Sequence, residues 1–186
     1  MLLVGFCGPK RAGKNFAATI LKEHLEEKYP GLICGEIAFA QVLRDIATLA
    51  VGEENRRIFH APYKNVFNGF LGQVPRDLLI STGRALTGVL IHDEKFQTYA
   101  TRRALARLED AKFQIVLITD VRFPDEAKLI KDSGGVVIEI ERDGYDYDSG
   151  EPTESGLPHN LIDFTLSDLE EDQGSRIAEC LPSSWN

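Results

Sequence analysis

The sequence predicts an α/β fold in which a parallel five-stranded sheet carries helices on both faces. Three observations predict it. Two short runs, residues 2–7 and 113–119, are almost continuously apolar, as in strands covered by helices on both sides. Segments of strand character alternate along the chain with segments whose apolar residues recur at helical spacing. A glycine-rich turn, "GPKRAGK", joins the first strand to the first helix.

The elements follow in order. After the turn, Phe16, Ala17, Ile20, Leu21 and Leu25 mark a first helix, which Pro30 and Gly31 end. Residues 32–39 read as a second strand. Val42, Leu43, Ile46, Ala47 and Ala50 mark a helix closed by Gly52. Residues 53–72 are polar, aromatic and irregular, and read as short helices or a mobile insertion. Residues 76–90 and 95–111 read as two more helices, and 113–119 as the clearest central strand. A short helix at 124–131 precedes a strand at 135–141. Residues 142–160 are rich in Asp, Gly, Glu and Pro, as in a loop or lid. A last short strand at 161–166 leads into Ser167-Asp168-Leu169-Glu170, which resembles a capping box opening a C-terminal helix. No internal repeat or low-complexity tract interrupts the pattern. The chain reads as one domain, 1–186, with an insertion at about 40–90 and a lid at about 143–158.

Composition narrows the function classes. The chain of 186 residues, 43% hydrophobic and 27% charged, is ordinary for a soluble globular domain. Its net charge of −8 argues against coating a nucleic acid or lying on a membrane, so cations for an anionic ligand must be placed locally. Cys7, Cys34 and Cys180 share no C-x-x-C spacing, and neither a disulfide framework nor a zinc site is indicated. No apolar run reaches the length of a membrane-spanning helix and no signal peptide precedes the first strand, which points to the cytoplasm.

The stretch from Gly8 to Lys14 fits G-x-x-x-x-G-K, a phosphate-binding loop between strand and helix. Such a loop works because successive backbone N–H groups curl around phosphoryl oxygens at the positive end of a helix dipole. Gly8, Lys10, Arg11, Ala12, Gly13, Lys14 and Asn15 are the candidate nucleotide-phosphate residues, with Lys14 reaching the terminal phosphates. Where the pattern has Ser or Thr this chain has Asn15, which either offers a carbonyl oxygen to Mg²⁺ or caps and solvates the helix start. The central strand ends "LITDVRFPDEA". Asp120 thus stands at a strand's carboxyl end, where open α/β sheets bind ligands and a carboxylate can hold a Mg²⁺-bound water. Arg122 can aim a guanidinium at a phosphate, or pair on the surface with Asp125 or Glu126. His24, His60, His92 and His159 lie in unrelated contexts, and G-x-S-x-G is absent, so serine hydrolysis has no support. An EF-hand loop starting at Asp146 would need Glu where Leu157 stands.

With these pieces in place the chain resembles a nucleoside monophosphate kinase, most closely the phage-type deoxynucleoside monophosphate kinases. The resembling pieces are "GPKRAGK", "FAQVLRDIA", "RDLLISTG", "TDVRFPDEAKLIKDSGGVVIEIER" and "LIDFTLSDLEE", in family order across nearly the whole chain. "TDVRFP" is also similar to the "DGFPR" turn of adenylate kinases. The resemblance implies a P-loop kinase fold with an NMP-binding insertion and a short lid. It implies ATP and Mg²⁺ as cofactors, with Asp120 and Asn15 at the metal and Lys14, Arg122, Asp120 and Arg142 in catalysis. Arg44, Arg76 and Arg122 resemble the arginines that grip the acceptor phosphate, and Arg84 is nearest to a further one that the family carries after "TG". Arg44 and Arg76 also read as solvated helix residues, while Arg102, Arg103 and Arg107 share a helix with Glu109 and Asp110 as a solvated face. The implied partners are nucleotide small molecules, with neither nucleic acid nor membrane, and a homodimer is compatible with the family. For a phage protein the location is the host cytoplasm. The family pattern has Asp and then Ser or Thr after the loop lysine, where this chain has Asn15-Phe16, and residues 143–155 carry no arginine.

Overall fold

The computed structural model describes residues 1–60, 62–90, 96–147, 155–170 and 172–183, without the side chains of 87–90 and 96–97. Residues 148–154 of the expected lid lie outside the described residues. The chain divides into two compact units, Met1–Ala38 with Ala104–Asn186, and Phe39–Arg103.

The first unit holds the sheet. Strands β1 (Leu2–Cys7), β2 (Cys34–Ile37), β3 (Ile115–Ile118), β4 (Val136–Glu141) and β5 (Phe164–Ser167) lie in the order β2-β3-β1-β4-β5. Every pairing is parallel. The helices are α1 (Lys14–Lys28), α5 (Pro124–Asp132) and the short α6 (Gly174–Ala178). Alternate strand residues serve the two faces. Val4, Phe6, Leu117 and Ile138 join Leu21 and Leu25 of α1 in one core. Leu3, Val116, Ile118 and Val137 are buried on the other face, which α5 covers by packing on β1 and β4. Because both faces are covered, β1 is apolar throughout, and each large buried side chain stabilises the fold by about 1.5–3 kcal/mol.

The strand order positions the site. From β1 the chain crosses to β2 on one side, and from β3 it crosses over β1 to β4 on the other. The crevice of such a sheet therefore opens between the carboxyl ends of β1 and β3. Val121 N–H donates to Phe6 O at 3.1 Å, tying the segment after β3 to the end of β1.

The second unit, taken by itself, is helical. It contains α2 (Gln41–Val51), two 3₁₀ turns (Glu53–Phe59 and Tyr63–Asn65) and α3 (Pro75–Leu90). Leu43, Ala47, Phe59 and Leu79 form its core. Helix α4 (Phe96–Asp110) runs across the chain boundary between the units, and Arg102, Arg103 and Arg107 on it are exposed.

The structure corrects one expectation. Ser167 does not cap a helix: it is the last residue of β5, in register with Glu141, and its Oγ donates to Glu141 Oε2 at 3.3 Å. Asp168 then turns at φ 50°, and α6 begins only after its N-cap Gln173. Pairing with β4 overrides the local capping preference of Ser167.

Candidate functional site

The glycine loop is built by backbone geometry. Gly8, Arg11 and Gly13 all have positive φ, at 132°, 69° and 108°. Two of these are glycines because L side chains are strained there, and Arg11 adopts the left-handed region despite its Cβ. At Gly8 space forbids a side chain as well: a Cβ would come 2.2 Å from the carbonyl oxygen of Ile140. Gly13 serves as N-cap of α1, with no side-chain cap and no acidic residue in the first turn. A helix of 15 residues therefore presents its first N–H groups and the positive end of its dipole to the loop without an internal anion. Lys14 folds back over this loop, its Nζ donating to the carbonyls of Gly8 and Pro9 at 2.7 Å each. Those two bonds hold an ammonium at the loop mouth.

Lys10 and Arg11 are exposed, Ala12 is buried and Asn15 is exposed in the first turn of α1. Asn15 lies two residues beyond the cap, and its own carbonyl accepts from Thr19 Oγ1 at 3.0 Å.

Beside the loop stands the end of β3. Asp120 is 9% exposed there, and Arg122 is half-buried. The turn between them is fixed by Glu126, a residue that sequence reasoning treats only as a surface partner for Arg122. Glu126 is 2% exposed, and its Oε2 accepts the backbone N–H groups of Arg122 at 2.7 Å and Phe123 at 3.0 Å. Burial, reinforced by the nearby Asp120 charge, pushes the Glu126 carboxyl up from 4.5 to about 8, against the pull of those two N–H donors. A signal for it was present: Pro124 at the first helical position places Glu126 at the third, where a carboxylate reaches back to the N-cap N–H.

A second buried carboxylate lies on β4. Glu139 pairs in register with Cys7 and is 6% exposed. It accepts from Tyr147 Oη at 2.7 Å and from Thr165 Oγ1 at 3.4 Å. Burial first and the Glu139 charge second push the Cys7 thiol up to about 12, so Cys7 is a packed thiol and no nucleophile. A small cleft of about 10 Å³, the room of roughly one water, is lined by Cys7, Gly8, Val121, Arg122, Tyr147, Gly156 and Leu157. Arg142, exposed at the end of β4, lies over the ring of Tyr145 with 5.2 Å to its centroid.

The structure thus brings Gly8, Lys14, Asp120 and Arg122 to the carboxyl edge of one sheet. Arg44, Arg76 and Arg84 belong to the second unit. Arg44 on α2 is half-buried and donates to Gln41 Oε1 at 2.8 Å. Arg76 is half-buried in the first turn of α3, and Arg84 follows two turns later on the same helix. Eight residues on one helix separate those two by about 12 Å along its axis. Among the described residues no cluster of three or more His, Cys, Asp or Glu side chains forms a metal cage, and no helix is long and apolar enough to cross a membrane.

A solved kinase shares this architecture. An APS kinase from Mycobacterium tuberculosis, in complex with AMPPNP and APS, is 14% identical with a TM-score of 0.53, over 96% of each chain. A point variant of an APS kinase from the same organism is 15% identical with a TM-score of 0.49, over 96% of this chain and 95% of that one. A dephospho-CoA kinase from Campylobacter jejuni is 11% identical with a TM-score of 0.43, over 95% of each. No protein-family model matches the chain, and no curated protein matches it. At these identities the likeness is one of fold, and that fold is the five-stranded parallel α/β fold of P-loop kinases.

Proposed function

We propose that the chain is an ATP-dependent phosphotransferase that moves the γ-phosphate of ATP to a (deoxy)nucleoside monophosphate. One observation carries this reading. On a P-loop kinase fold, a loop with positive φ at Gly8, Arg11 and Gly13 holds the Lys14 ammonium through the Gly8 and Pro9 carbonyls, and a buried carboxylate, Asp120, follows the neighbouring strand β3.

The chemistry suits these residues. A nucleoside monophosphate is mostly dianionic at neutral pH, since its second pKa is about 6, so the acceptor oxygen needs no general base. What the protein must supply is alignment and positive charge. The loop N–H groups and Lys14 would hold the β- and γ-phosphates of ATP. Arg122 would hold the acceptor phosphate, the role that the family resemblance also gives to Arg44, Arg76 and Arg84. Arg142, just before the expected lid, would lean on the group in transfer.

The residues fit Mg²⁺ bound mainly through nucleotide oxygens and water, because Asp120 offers one carboxylate and the described residues offer no carboxylate cage. Asp120 would hold such a metal through water, and Asn15 is the remaining protein oxygen in the first turn of α1. Bound there, the metal would neutralise phosphate charge during transfer.

A second reading is a P-loop kinase acting on another small phosphorylated metabolite. The APS kinase supports it, because a protein of this fold was solved with APS rather than a nucleoside monophosphate beside AMPPNP. A non-catalytic nucleotide-binding protein is a third reading, and it would gain nothing from several arginines on the acceptor side.

The test is ADP formation from ATP and Mg²⁺ across deoxynucleoside monophosphates, nucleoside monophosphates and APS, for wild type and Lys14→Ala. Turnover with a nucleoside monophosphate, abolished in a folded Lys14→Ala protein, is the expected result. Near-normal turnover by Lys14→Ala, or none by wild type with any acceptor, overturns the kinase reading.

A further inference from the structure

We propose that Tyr147, held by the buried carboxylate of Glu139, is a positioning residue that fixes the wall of the small cleft it shares with Gly8 and Arg122. The inference rests on the kinase reading of the same site.

Glu139 is the first observation. It faces the side of the sheet where Val116, Ile118 and Val137 are fully buried. A carboxylate buried in such company is strongly unfavourable unless its oxygens are hydrogen-bonded. Both oxygens have hydroxyl donors, Tyr147 Oη at 2.7 Å and Thr165 Oγ1 at 3.4 Å. The first is short and aimed at a carboxylate, the stronger kind of hydrogen bond. A valine or cysteine at position 139 would pack more simply on that face. What Glu139 adds is a grip on Tyr147.

The ring of Tyr147 is held at its edge as well. Gly156 has φ 78°, and a Cβ there would lie 3.2 Å from Cε2 and Cζ of Tyr147. The backbone at Gly156 therefore lies directly against the ring, whose tip is tied to β4. Burial and the bond to Glu139 both raise the hydroxyl's pKa, so it remains a donor at any working pH.

The third observation is where the ring stands. Tyr147 lines the small cleft together with Gly8 of the phosphate loop and Arg122. On the kinase reading Arg122 holds the acceptor phosphate, so a wall shared with Arg122 would control its alignment, and displacement by about 1 Å is enough to cost much of the rate. Tyr147 touches no reacting atom in this arrangement. It acts by keeping the chain after β4 pressed onto the site.

The experiment compares wild type, Tyr147→Phe, Glu139→Gln and Glu139→Leu in steady-state kinetics and in hydrogen exchange of the amides of residues 142–147. Tyr147→Phe removes only the hydroxyl and should raise the acceptor KM by about 10-fold, the scale of one lost hydrogen bond, with the ATP KM within about 2-fold. Its amides at 142–147 should exchange faster. Glu139→Gln keeps an oxygen that accepts the tyrosine hydroxyl and should stay within about 3-fold of wild type, whereas Glu139→Leu should behave like Tyr147→Phe. An unchanged acceptor KM in Tyr147→Phe overturns the proposal. So does an equal rise in both KM values, which would signal a general structural loss, or a Glu139→Gln protein as impaired as Tyr147→Phe. If wild type turns over no acceptor, the kinase reading fails. Exchange then decides the latch alone, faster exchange in Tyr147→Phe supporting it and unchanged exchange overturning it.

Discussion

Replacing Glu126 by Gln removes a titrating group that the fold holds far from its usual range. The carboxyl titrates near 8 in the folded chain, against 4.5 for an ordinary glutamate, chiefly because it is buried and secondly because Asp120 is close. Asp125 adds to the rise, while the N–H groups of Arg122 and Phe123 oppose it. A raised carboxyl pKa means that the folded state binds a proton that the unfolded state has already released. Stability from this group is therefore complete below pH 4.5 and is lost as pH climbs through about 8. At about 1.4 kcal/mol per pH unit, the interval corresponds to roughly 5 kcal/mol as an upper limit, and water entering the turn reduces it to about half. Gln keeps the oxygen that accepts both N–H groups but carries no charge. Glu126→Gln and wild type should unfold at similar urea concentrations at pH 5, and the variant should be more stable by about 2–4 kcal/mol at pH 9. The assay is urea unfolding of both proteins at half-unit pH steps, read as their difference, so that titrating groups distant from Glu126 cancel. A difference that stays flat from pH 5 to 9, or one that favours wild type at high pH, refutes the reasoning.

Other substitutions test the remaining parts of the site. Arg122→Ala and Arg44→Ala should each weaken acceptor use by roughly 2–3 kcal/mol, the scale of a charge-assisted contact, with ATP affinity nearly unchanged. An equal fall in ATP affinity, measured by calorimetry, would put those arginines on the nucleotide side. Asp120→Asn should cost far more activity than Asn15→Ala in a Mg²⁺ titration at fixed ATP, because it removes the charge opposite the metal, and identical titrations of wild type and Asp120→Asn would remove Asp120 from the metal site. Gly8→Ala sets a Cβ 2.2 Å from the carbonyl oxygen of Ile140 at a φ of 132°, and thermal unfolding should report a loss of about 2–4 kcal/mol. A melting temperature equal to that of wild type would show that β1 and β4 separate there at little cost.

What the sequence made legible is what the backbone decides locally. The loop at Gly8–Lys14 needs only glycines at fixed offsets between a strand and a helix, and β3 needs only four consecutive apolar residues. Ser167 misled because its fate depends on Glu141, a partner 26 residues earlier on a neighbouring strand. Glu139 sits where β4 alternates apolar and acidic residues, and it is buried with Tyr147 and Thr165 bringing hydroxyls to it from outside its own strand. Glu126 read as a surface partner of Arg122, yet α5 packs it beneath the turn, where it takes the arginine's N–H. For Arg44, Arg76 and Arg84 the helices were legible. Which phosphate each would grip is a property of a bound acceptor, and spacing along separate helices does not encode it.

The two buried carboxylates share a logic that follows from the charge of the chain. With 29 acidic residues against 21 Lys and Arg, an anionic ligand competes with the protein's own carboxylates for a limited set of cations. Glu126 and Glu139 tether the turn after β3 and the segment after β4 through backbone N–H and hydroxyl donors. Tethering of this kind consumes no guanidinium or ammonium. A Glu126 titrating near 8 is also largely protonated at neutral pH, so the turn is held without adding a second negative charge beside Asp120. A fixed anion there would repel incoming phosphates in a poorly screened crevice. The same carboxyl group thus anchors Arg122 through its backbone and leaves the local field favourable to the anions that the phosphate loop is built to hold.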